Sequence, residues 1–240
     1  MGNNAVFYIA KGEQYIKEVE VSANSLHRVM PDIPVHIFTF RGDYFTIASD
    51  SKCKIHTIKY NDRENWYSNS IKTFGLALEV LNEYDHLIYL DSDTYVCKPF
   101  YEVFTLLKRF EFVATHAPGR LTCGSVMDFD FPADFHIGLV GLRNCDNIKN
   151  LLSAWLTLYQ QHQANYGDND QGALRDAIWY NDISTYILPP EFCFRFIFGG
   201  FVCGSVRVLH GRAKDYSAVS KIVNKTKFMR TFDKGIFRGM

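Results

Sequence analysis

The sequence predicts an α/β fold in which helices cover both faces of a mostly parallel, Rossmann-like sheet. Three observations lead to this prediction. Short apolar runs alternate along the chain with segments whose apolar residues recur at helical spacing. The apolar runs contain few polar residues, which is typical of parallel strands buried on both faces. The chain has 240 residues, of which 47% are hydrophobic, and this size and composition suit one domain with a single core.

The first half of the chain contains four apolar runs and two helical patterns. Strands are predicted over residues 5–10, 35–40, 54–60 and 86–90. The first helix is predicted to end before Pro31, and its inner face comprises Ile16, Val19, Ala23, Leu26 and Met30. The inner face of the second helix comprises Ile71, Phe74, Leu78 and Leu81.

The second half is less regular. Strands are predicted over residues 112–115, 137–142, 183–188 and 206–210, and a long loop over residues 118–133. One helix is predicted over residues 148–162, and another begins near Asp170 with Asn169 as its cap. Neither a linker nor a repeat divides the chain. We therefore expect one domain over residues 1–220, followed by a basic, apolar tail over residues 221–240.

Charge and hydropathy exclude several classes of protein. Lys and Arg together number 26, as do Asp and Glu, so the formal net charge is zero and no chain-wide basic field is available to bind nucleic acid. No apolar run approaches the roughly 18 residues that a membrane-spanning helix needs. Any charged ligand must therefore be bound by a local site.

The cysteines and the two ends of the chain suggest a location. The six cysteines form no CxxC pair, and the first residues lack the basic and apolar regions of a signal peptide. We therefore expect a cytoplasmic protein with reduced, mostly buried thiols. In the tail, six Lys and Arg residues alternate with apolar residues, as in a segment that lies on a membrane surface. The alternative is a helix packed on the domain with solvated charges.

Two carboxylates directly follow the fourth predicted strand. Asp91 and Asp93 are one residue apart, and in extended backbone such residues point the same way. They would converge at the carboxyl end of a parallel strand, where open α/β sheets bind ligands. Two carboxylates attract a hard divalent cation, which takes phosphate oxygens as further ligands. A polar strand end without a ligand is the alternative interpretation.

Four motifs occur in the order expected of a known family. They are Tyr-Leu-Asp-Ser-Asp at residues 89–93, Phe-His-Ile-Gly-Leu-Val at 135–140, Asp-Gln-Gly-Ala-Leu at 170–174 and Val-Leu-His-Gly at 208–211. Together they resemble the motifs of GT-A glycosyltransferases, in particular the glycogenin-like family 8. The resemblance extends from residue 5 to about residue 212. It implies a GT-A fold and transfer of a hexose from a nucleoside-diphosphate sugar.

The resemblance also implies roles for individual residues. Asp91, Asp93 and His210 would bind Mn²⁺ or Mg²⁺, while Asp170 and Gln171 would act at the donor sugar. Residues implied to bind the donor, which would be a UDP-sugar, are Lys72, Tyr89, Asp91, Ser92, His136, Gly138, Gly211 and Arg212. No carboxylate stands out as a general base, so the resemblance favours retention of anomeric configuration. The acceptor, whether a glycan, a lipid-linked molecule or a protein, is not indicated.

The chain departs from the family at two positions of interest. The family's Asn and Ser in the second motif are His136 and Ile137 here, and the Lys-Pro-Trp after the late histidine is absent, so that Arg212 and Lys214 are the nearest basic residues. Structural alternatives also exist: Lys72 could be a solvated helix lysine and His136 a core histidine. Asp168 could add to the sugar site, and the loop over residues 119–130 could contact the acceptor.

Two rival functions use the same residues. In a haloacid-dehalogenase-like phosphatase, Asp91 would be a covalent nucleophile. That fold begins with its nucleophile motif, whereas here two strand–helix units precede Asp91. A non-catalytic protein that binds a nucleotide sugar or glycan is the other rival. A sugar nucleotidyltransferase is disfavoured, because the residues after the first strand do not form a Gly-rich basic loop.

Overall fold

The computed structural model describes residues 3–40, 53–117, 124–127, 134–167 and 169–240. The first half of the chain contains β1 (Asn4–Ala10), α1 (Glu13–Val29), β2 (Val35–Thr39), β3 (Cys53–Thr57), α2 (Trp66–Val80), β4 (His86–Leu90), β5 (Thr94–Val96), α3 (Tyr101–Leu107) and β6 (Phe112–His116). The second half contains β7 (Phe135–Arg143), α4 (Asp146–Gln161), α5 (Gln163–Tyr166), α6 (Gln171–Tyr180), β8 (Thr185–Leu188), β9 (Gly200–Val202), β10 (Val208–His210), α7 (Tyr216–Val223) and β11 (Arg230–Phe232). Short 3₁₀ helices lie at Pro190–Phe192 and Phe196–Phe198.

Seven strands form the central sheet in the order β3-β2-β1-β4-β7-β6-β8. Only β7 pairs in an antiparallel manner with its neighbours β4 and β6, so six of these strands point the same way. Two small antiparallel sheets, β5 with β10 and β9 with β11, lie outside it. The carboxyl end of β4 therefore lies at the middle of the sheet, next to the strand where the direction reverses.

Helices cover both faces of the sheet because side chains alternate along each strand. On β1, Phe7 faces the layer of α2, α4 and α6, where its ring lies 5.5 Å from that of Phe74. The next residue, Tyr8, faces the layer of α1 and α3, and its hydroxyl pairs with Ser22 on α1 at 3.0 Å. This arrangement confirms the predicted α/β fold with a mostly parallel sheet.

Several predicted boundaries shift. The third, seventh and eighth predicted strands are shorter in the structure, over Cys53–Thr57, Thr185–Leu188 and Val208–His210. The helix predicted near Asp170 begins at Gln171, whose amide donates to Oδ1 of Asn169 at 2.8 Å. The elements β5, α3, α5, β9, α7 and β11 were not predicted. All six are only three to eight residues long, too short for periodicity to show, and the three strands among them pair with distant partners.

The last 20 residues pack against the domain. The expected boundary at residue 220 lies inside α7, which buries Val219 and Val223. Downstream, β11 pairs with β9, and Phe237 is buried in the same cluster as Phe194 and Phe196. Residues 221–240 are thus continuous with the preceding structure.

Two structural findings concern the cysteines and the length of the apolar helices. Among the described cysteines, Cys53, Cys97, Cys145, Cys193 and Cys203 form no disulfide, and only Cys193 is buried. Because four of these five thiols are not buried, the expectation of mostly buried thiols is wrong for the described cysteines. Cys123 lies outside the described residues. Within the described ranges, no helix is both long and apolar enough to cross a bilayer.

Candidate metal centre and adjoining cavities

Asp91 and Asp93 lie in a turn directly after β4. The carbonyl of Asp91 accepts hydrogen bonds from the amide of Thr94 at 3.3 Å and from its hydroxyl at 2.8 Å. The sequence argument assumed extended backbone here, which is wrong for Ser92 and Asp93, because both occupy the turn. A turn, rather than the two-residue repeat of a strand, brings the carboxylates together.

His210 joins the two carboxylates because β10 pairs with β5. The register places His210 opposite Thr94, and the amide of Gly211 donates to the carbonyl of Asp93 at 2.9 Å. Nε2 of His210 lies 3.0 Å from Oδ1 of Asp93 and 3.4 Å from Oδ2 of Asp91. One ligand atom from each of the three side chains lies within 4.8 Å of the others. This spacing suits a shared cation, since metal–ligand bonds are about 2.0–2.6 Å long.

The charges at this cluster favour a cation. Burial raises the pKa of Asp91, and the imidazole of His210 opposes that rise. Burial would also raise the pKa of Asp93, but the hydrogen bond and charge of His210, with Arg212 and Arg195, lower it to about 2. The side chain of Asp91 keeps 32% of its surface exposed, so an ion can reach it. Two carboxylates with one imidazole are a donor set that fits Mn²⁺ or Mg²⁺.

His136 is buried, and its ring packs against that of His210. The two rings stack with centroids 4.6 Å apart, and Nδ1 of His210 lies 2.6 Å from Nε2 of His136. Burial lowers the pKa of His136 well below its usual value, so its ring is neutral. Gly138 makes this packing feasible, because a Cβ there would lie 2.2 Å from Nδ1 of His210 and 2.7 Å from Sγ of Cys193.

Polar partners orient the rest of the turn. The hydroxyl of Tyr89 donates to Oδ1 of Asp91 at 2.6 Å. The hydroxyl of Ser92 donates to Glu18 on α1 at 3.0 Å, and Nε of Arg212 donates to the same carboxylate at 2.6 Å. Glu18 thus ties the turn after β4 to the residue that follows His210 and Gly211.

A cavity of about 210 Å³ opens beside the three candidate ligands. Its lining brings together predicted residues that are far apart in sequence: Tyr89, Asp91, Ser92, Asp93, Asp170, Gln171 and Arg212. Ile9, Tyr15, Trp66 and Tyr67 complete much of its apolar wall. This cleft at the carboxyl end of β4 is the kind of place where α/β sheets bind ligands.

Asp170 is buried at the start of α6. Burial raises its pKa to about 7, and the nearby Asp91 contributes to the rise. A hydrogen bond to the backbone of Asp170 itself opposes this rise, but the carboxylate caps no amide of α6. Asp170 is therefore a carboxyl group whose charge changes near neutral pH.

Some predicted residues lie elsewhere. Nζ of Lys72 pairs with Glu64 at 2.5 Å, and Lys72 does not line the cavity beside Asp91. The amide of Lys214 donates to the carbonyl of Met240 at 2.6 Å. Asp168 lies outside the described residues, as does most of the loop over residues 119–130, of which only 124–127 are described.

Sequence reasoning missed Glu18 and Arg195. Nothing in the helical pattern of α1 distinguishes Glu18 from a solvated glutamate. Arg195 could have been found from the sequence, because it is a single arginine within the aromatic run Phe-Cys-Phe-Arg-Phe-Ile-Phe at residues 192–198. Its charge lowers the pKa of both Asp91 and Asp93, which places it close to the candidate metal centre.

Comparison with models of protein families and with curated proteins finds no match for this chain.

Proposed function

We propose that this protein is a metal-dependent glycosyltransferase of the GT-A class, resembling family 8, that moves a hexose from a UDP-sugar to an acceptor. One observation carries the proposal: Asp91, Asp93 and His210 meet at the carboxyl end of β4, beside a cavity that also contains Asp170. The sheet with its single reversed strand supports it as a scaffold.

Asp91, Asp93 and His210 would hold Mn²⁺ or Mg²⁺. When bound, such an ion stabilises the negative charge that grows on the departing diphosphate. Arg212 adds positive charge on the same side of the cavity. Its bond to Glu18 keeps it in place when no phosphate is bound.

The remaining cavity wall suits the other parts of the donor. Ile9 and the aromatic rings of Tyr15, Trp66 and Tyr67 would hold the uracil ring by apolar contact and stacking. Asp170, with Gln171, would bind hydroxyl groups of the donor sugar. Among the described residues that line this cavity, the only carboxylates besides Asp170 are the candidate metal ligands Asp91 and Asp93, so the proposal includes retention of anomeric configuration.

The proposal extends to location. The five described cysteines form no disulfide, which supports the proposal of a cytoplasmic protein. The side chains of Phe228 and Met229 are 83% and 74% exposed just before β11, within the basic tail. Large apolar side chains among lysines are typical of a segment that contacts an anionic membrane surface. The tail would therefore hold the enzyme near a membrane-linked acceptor.

Calorimetry tests the donor site. UDP should bind in the presence of Mn²⁺ and lose most of its affinity in EDTA. Asp93→Asn should abolish this binding, whereas Asp146→Asn, which removes a carboxylate that is almost fully exposed on α4, should leave it unchanged. Equal UDP affinity with Mn²⁺ and with EDTA contradicts the metal-centre assignment.

Turnover separates the rival functions. UDP released from a UDP-sugar supports the transferase. Phosphate released from a phosphomonoester instead, with loss of this activity in Asp91→Asn, supports the phosphatase. Binding of UDP-sugars without release of either product supports the non-catalytic alternative.

A further inference from the structure

An apolar cavity of about 450 Å³ lies next to the proposed donor site. Its volume falls within the roughly 300–1,000 Å³ range of ligand pockets in proteins. Leu188, Pro190, Phe194, Phe198 and Phe201 supply most of its apolar wall, and Arg195 contributes the charge.

Shared residues connect this cavity to the catalytic region. A smaller cavity of about 230 Å³ is lined by Asp170 and Gln171 as well as by Arg195 and Phe198. The cavity beside Asp91 shares Asp170 and Gln171 with it, and the apolar cavity shares Arg195 and Phe198 with it. A ligand that reaches from Asp170 to the apolar cavity must therefore pass Arg195.

The side chain of Arg195 can donate a further hydrogen bond to a ligand. Its Nε is buried, and within the described part of the chain it has no hydrogen-bond partner. The guanidinium lies over the ring of Phe198, with Cζ 4.8 Å from the centroid. A buried N–H without an acceptor is unfavourable, and a planar guanidinium binds carboxylate and phosphate groups through two bonds. The arrangement selects an anion attached to an apolar group.

We infer that this apolar cavity is the acceptor subsite, and that it binds an amphiphilic acceptor whose anionic group contacts Arg195 and whose apolar aglycone lies against Phe194, Phe198 and Phe201. The hydroxyl-bearing end of the acceptor then lies in the smaller cavity beside Asp170. The inference rests on the proposed transferase function, because it assigns the second substrate of that site.

Binding of n-octyl phosphate, an apolar anion, tests the subsite by calorimetry. It should bind at least tenfold more tightly than methyl phosphate, because each buried methylene group contributes to affinity. Arg195→Gln and Phe198→Ser should each weaken it at least tenfold. The matched controls Arg238→Gln and Tyr101→Ser remove an exposed arginine and an exposed aromatic residue outside the cavity, and they should leave octyl phosphate binding unchanged.

A competition experiment distinguishes this inference from the proposed function. UDP with Mn²⁺ should bind the octyl phosphate complex as it binds the free protein, because the two cavities are separate. Equal octyl phosphate binding in all four variants, or competition between octyl phosphate and UDP, overturns the subsite assignment alone. Octyl phosphate binding that depends on Arg195 and Phe198, without any UDP binding, overturns the acceptor role together with the transferase.

A lipid-linked and a soluble acceptor share this chemistry. The binding experiment therefore has two arms. One presents octyl phosphate in phosphatidylcholine vesicles, and the other uses free octyl phosphate below its micellar concentration. Uptake from vesicles that requires Arg195 indicates a membrane-linked source. Binding only of the free compound indicates a soluble one, and either result supports the subsite.

Discussion

Nδ1 of His210 lies 2.6 Å from Nε2 of His136, with the two rings stacked. A cation on Nε2 of His210 requires that nitrogen to be unprotonated, so Nδ1 carries the proton and donates it to His136. His136 can accept because its ring is neutral, and its own Nδ1 lies 3.4 Å from the hydroxyl of Thr115. His136 would thereby be a positioning residue that selects the tautomer of a candidate metal ligand.

Replacement of His136 tests this role. His136→Leu should weaken Mn²⁺ binding about 10- to 100-fold, the usual effect of removing a partner that orients a ligand. His136→Gln should restore much of the affinity, because its carbonyl oxygen can accept from Nδ1 of His210. Electron paramagnetic resonance of free Mn²⁺ measures both. Equal Mn²⁺ affinity in the Leu and Gln variants would show that His136 acts only by filling space.

Asp93→Asn should abolish turnover and leave the fold intact. The amide preserves the shape of the side chain but removes the charge that would hold the cation, and it changes no apolar contact. Initial rates at limiting Mn²⁺ and the far-UV circular dichroism spectrum provide the measurement. A variant that keeps the wild-type rate under these conditions excludes Asp93 as a ligand.

Asp170→Asn should separate stability from activity. The pKa of Asp170 is raised from 3.8 to about 7 by burial, so between pH 4 and 7 the native state holds a proton that the unfolded state has lost. The free energy of unfolding therefore falls as pH rises through this window. Asparagine does not ionise, so the Asn variant keeps its free energy of unfolding as the pH rises. At pH 8 this free energy should exceed that of wild type by up to about 4 kcal/mol.

The same variant should lose turnover about 10- to 100-fold, since hydrogen bonds from a sugar to a charged group contribute about 1.5–3 kcal/mol. UDP affinity should hardly change. Urea unfolding at pH 4 and pH 8 and UDP release from a UDP-sugar check the two parts. Equal stability of both proteins at pH 8 contradicts the raised pKa, and equal turnover contradicts the sugar contact.

Gly138→Ala should damage the candidate centre directly. The new methyl group would overlap the imidazole of His210 and the thiol of Cys193, so His210 must move away from Asp93. We expect lower thermal stability and at least tenfold weaker Mn²⁺ binding. Gly75→Ala is the control, because space is open around Gly75 within α2, and it should raise stability by about 0.5–1 kcal/mol. An unchanged Mn²⁺ affinity in Gly138→Ala would mean that His210 does not bind the ion.

The exposed apolar residues of the tail should govern membrane contact. Replacing both Phe228 and Met229 with serine should reduce co-sedimentation with vesicles that contain phosphatidylglycerol by about tenfold, because less apolar surface enters the interface. Tyr180→Ser removes an exposed aromatic residue on α6 and should have no effect. Vesicle binding that persists in the double variant counts against a role for the tail.

The central sheet and the pair of carboxylates after β4 could be predicted from local sequence patterns, whereas the grouping of His210 and Asp170 with them was expected only from the family resemblance. Buried strands such as β4 are uninterrupted apolar runs, and the acidic residues after β4 stand out against them. The contact of His210 with His136 depends on a non-local pairing and on the absence of a side chain at Gly138, neither of which periodicity reveals. The raised pKa of Asp170 likewise depends on burial by residues distant in sequence, and so could not be predicted.

The pairing of β5 with β10 has a consequence for how the molecule forms. Asp91 and Asp93 leave the ribosome early, whereas His210 follows only after the entire sheet has been synthesised, and contacts between such distant segments form slowly. The three side chains can therefore meet only after the strands of the central sheet have been synthesised. A chain that ends before β10 retains all seven strands of the sheet but lacks His210, so shortening the protein from its carboxyl end removes the candidate cation site before it removes the scaffold.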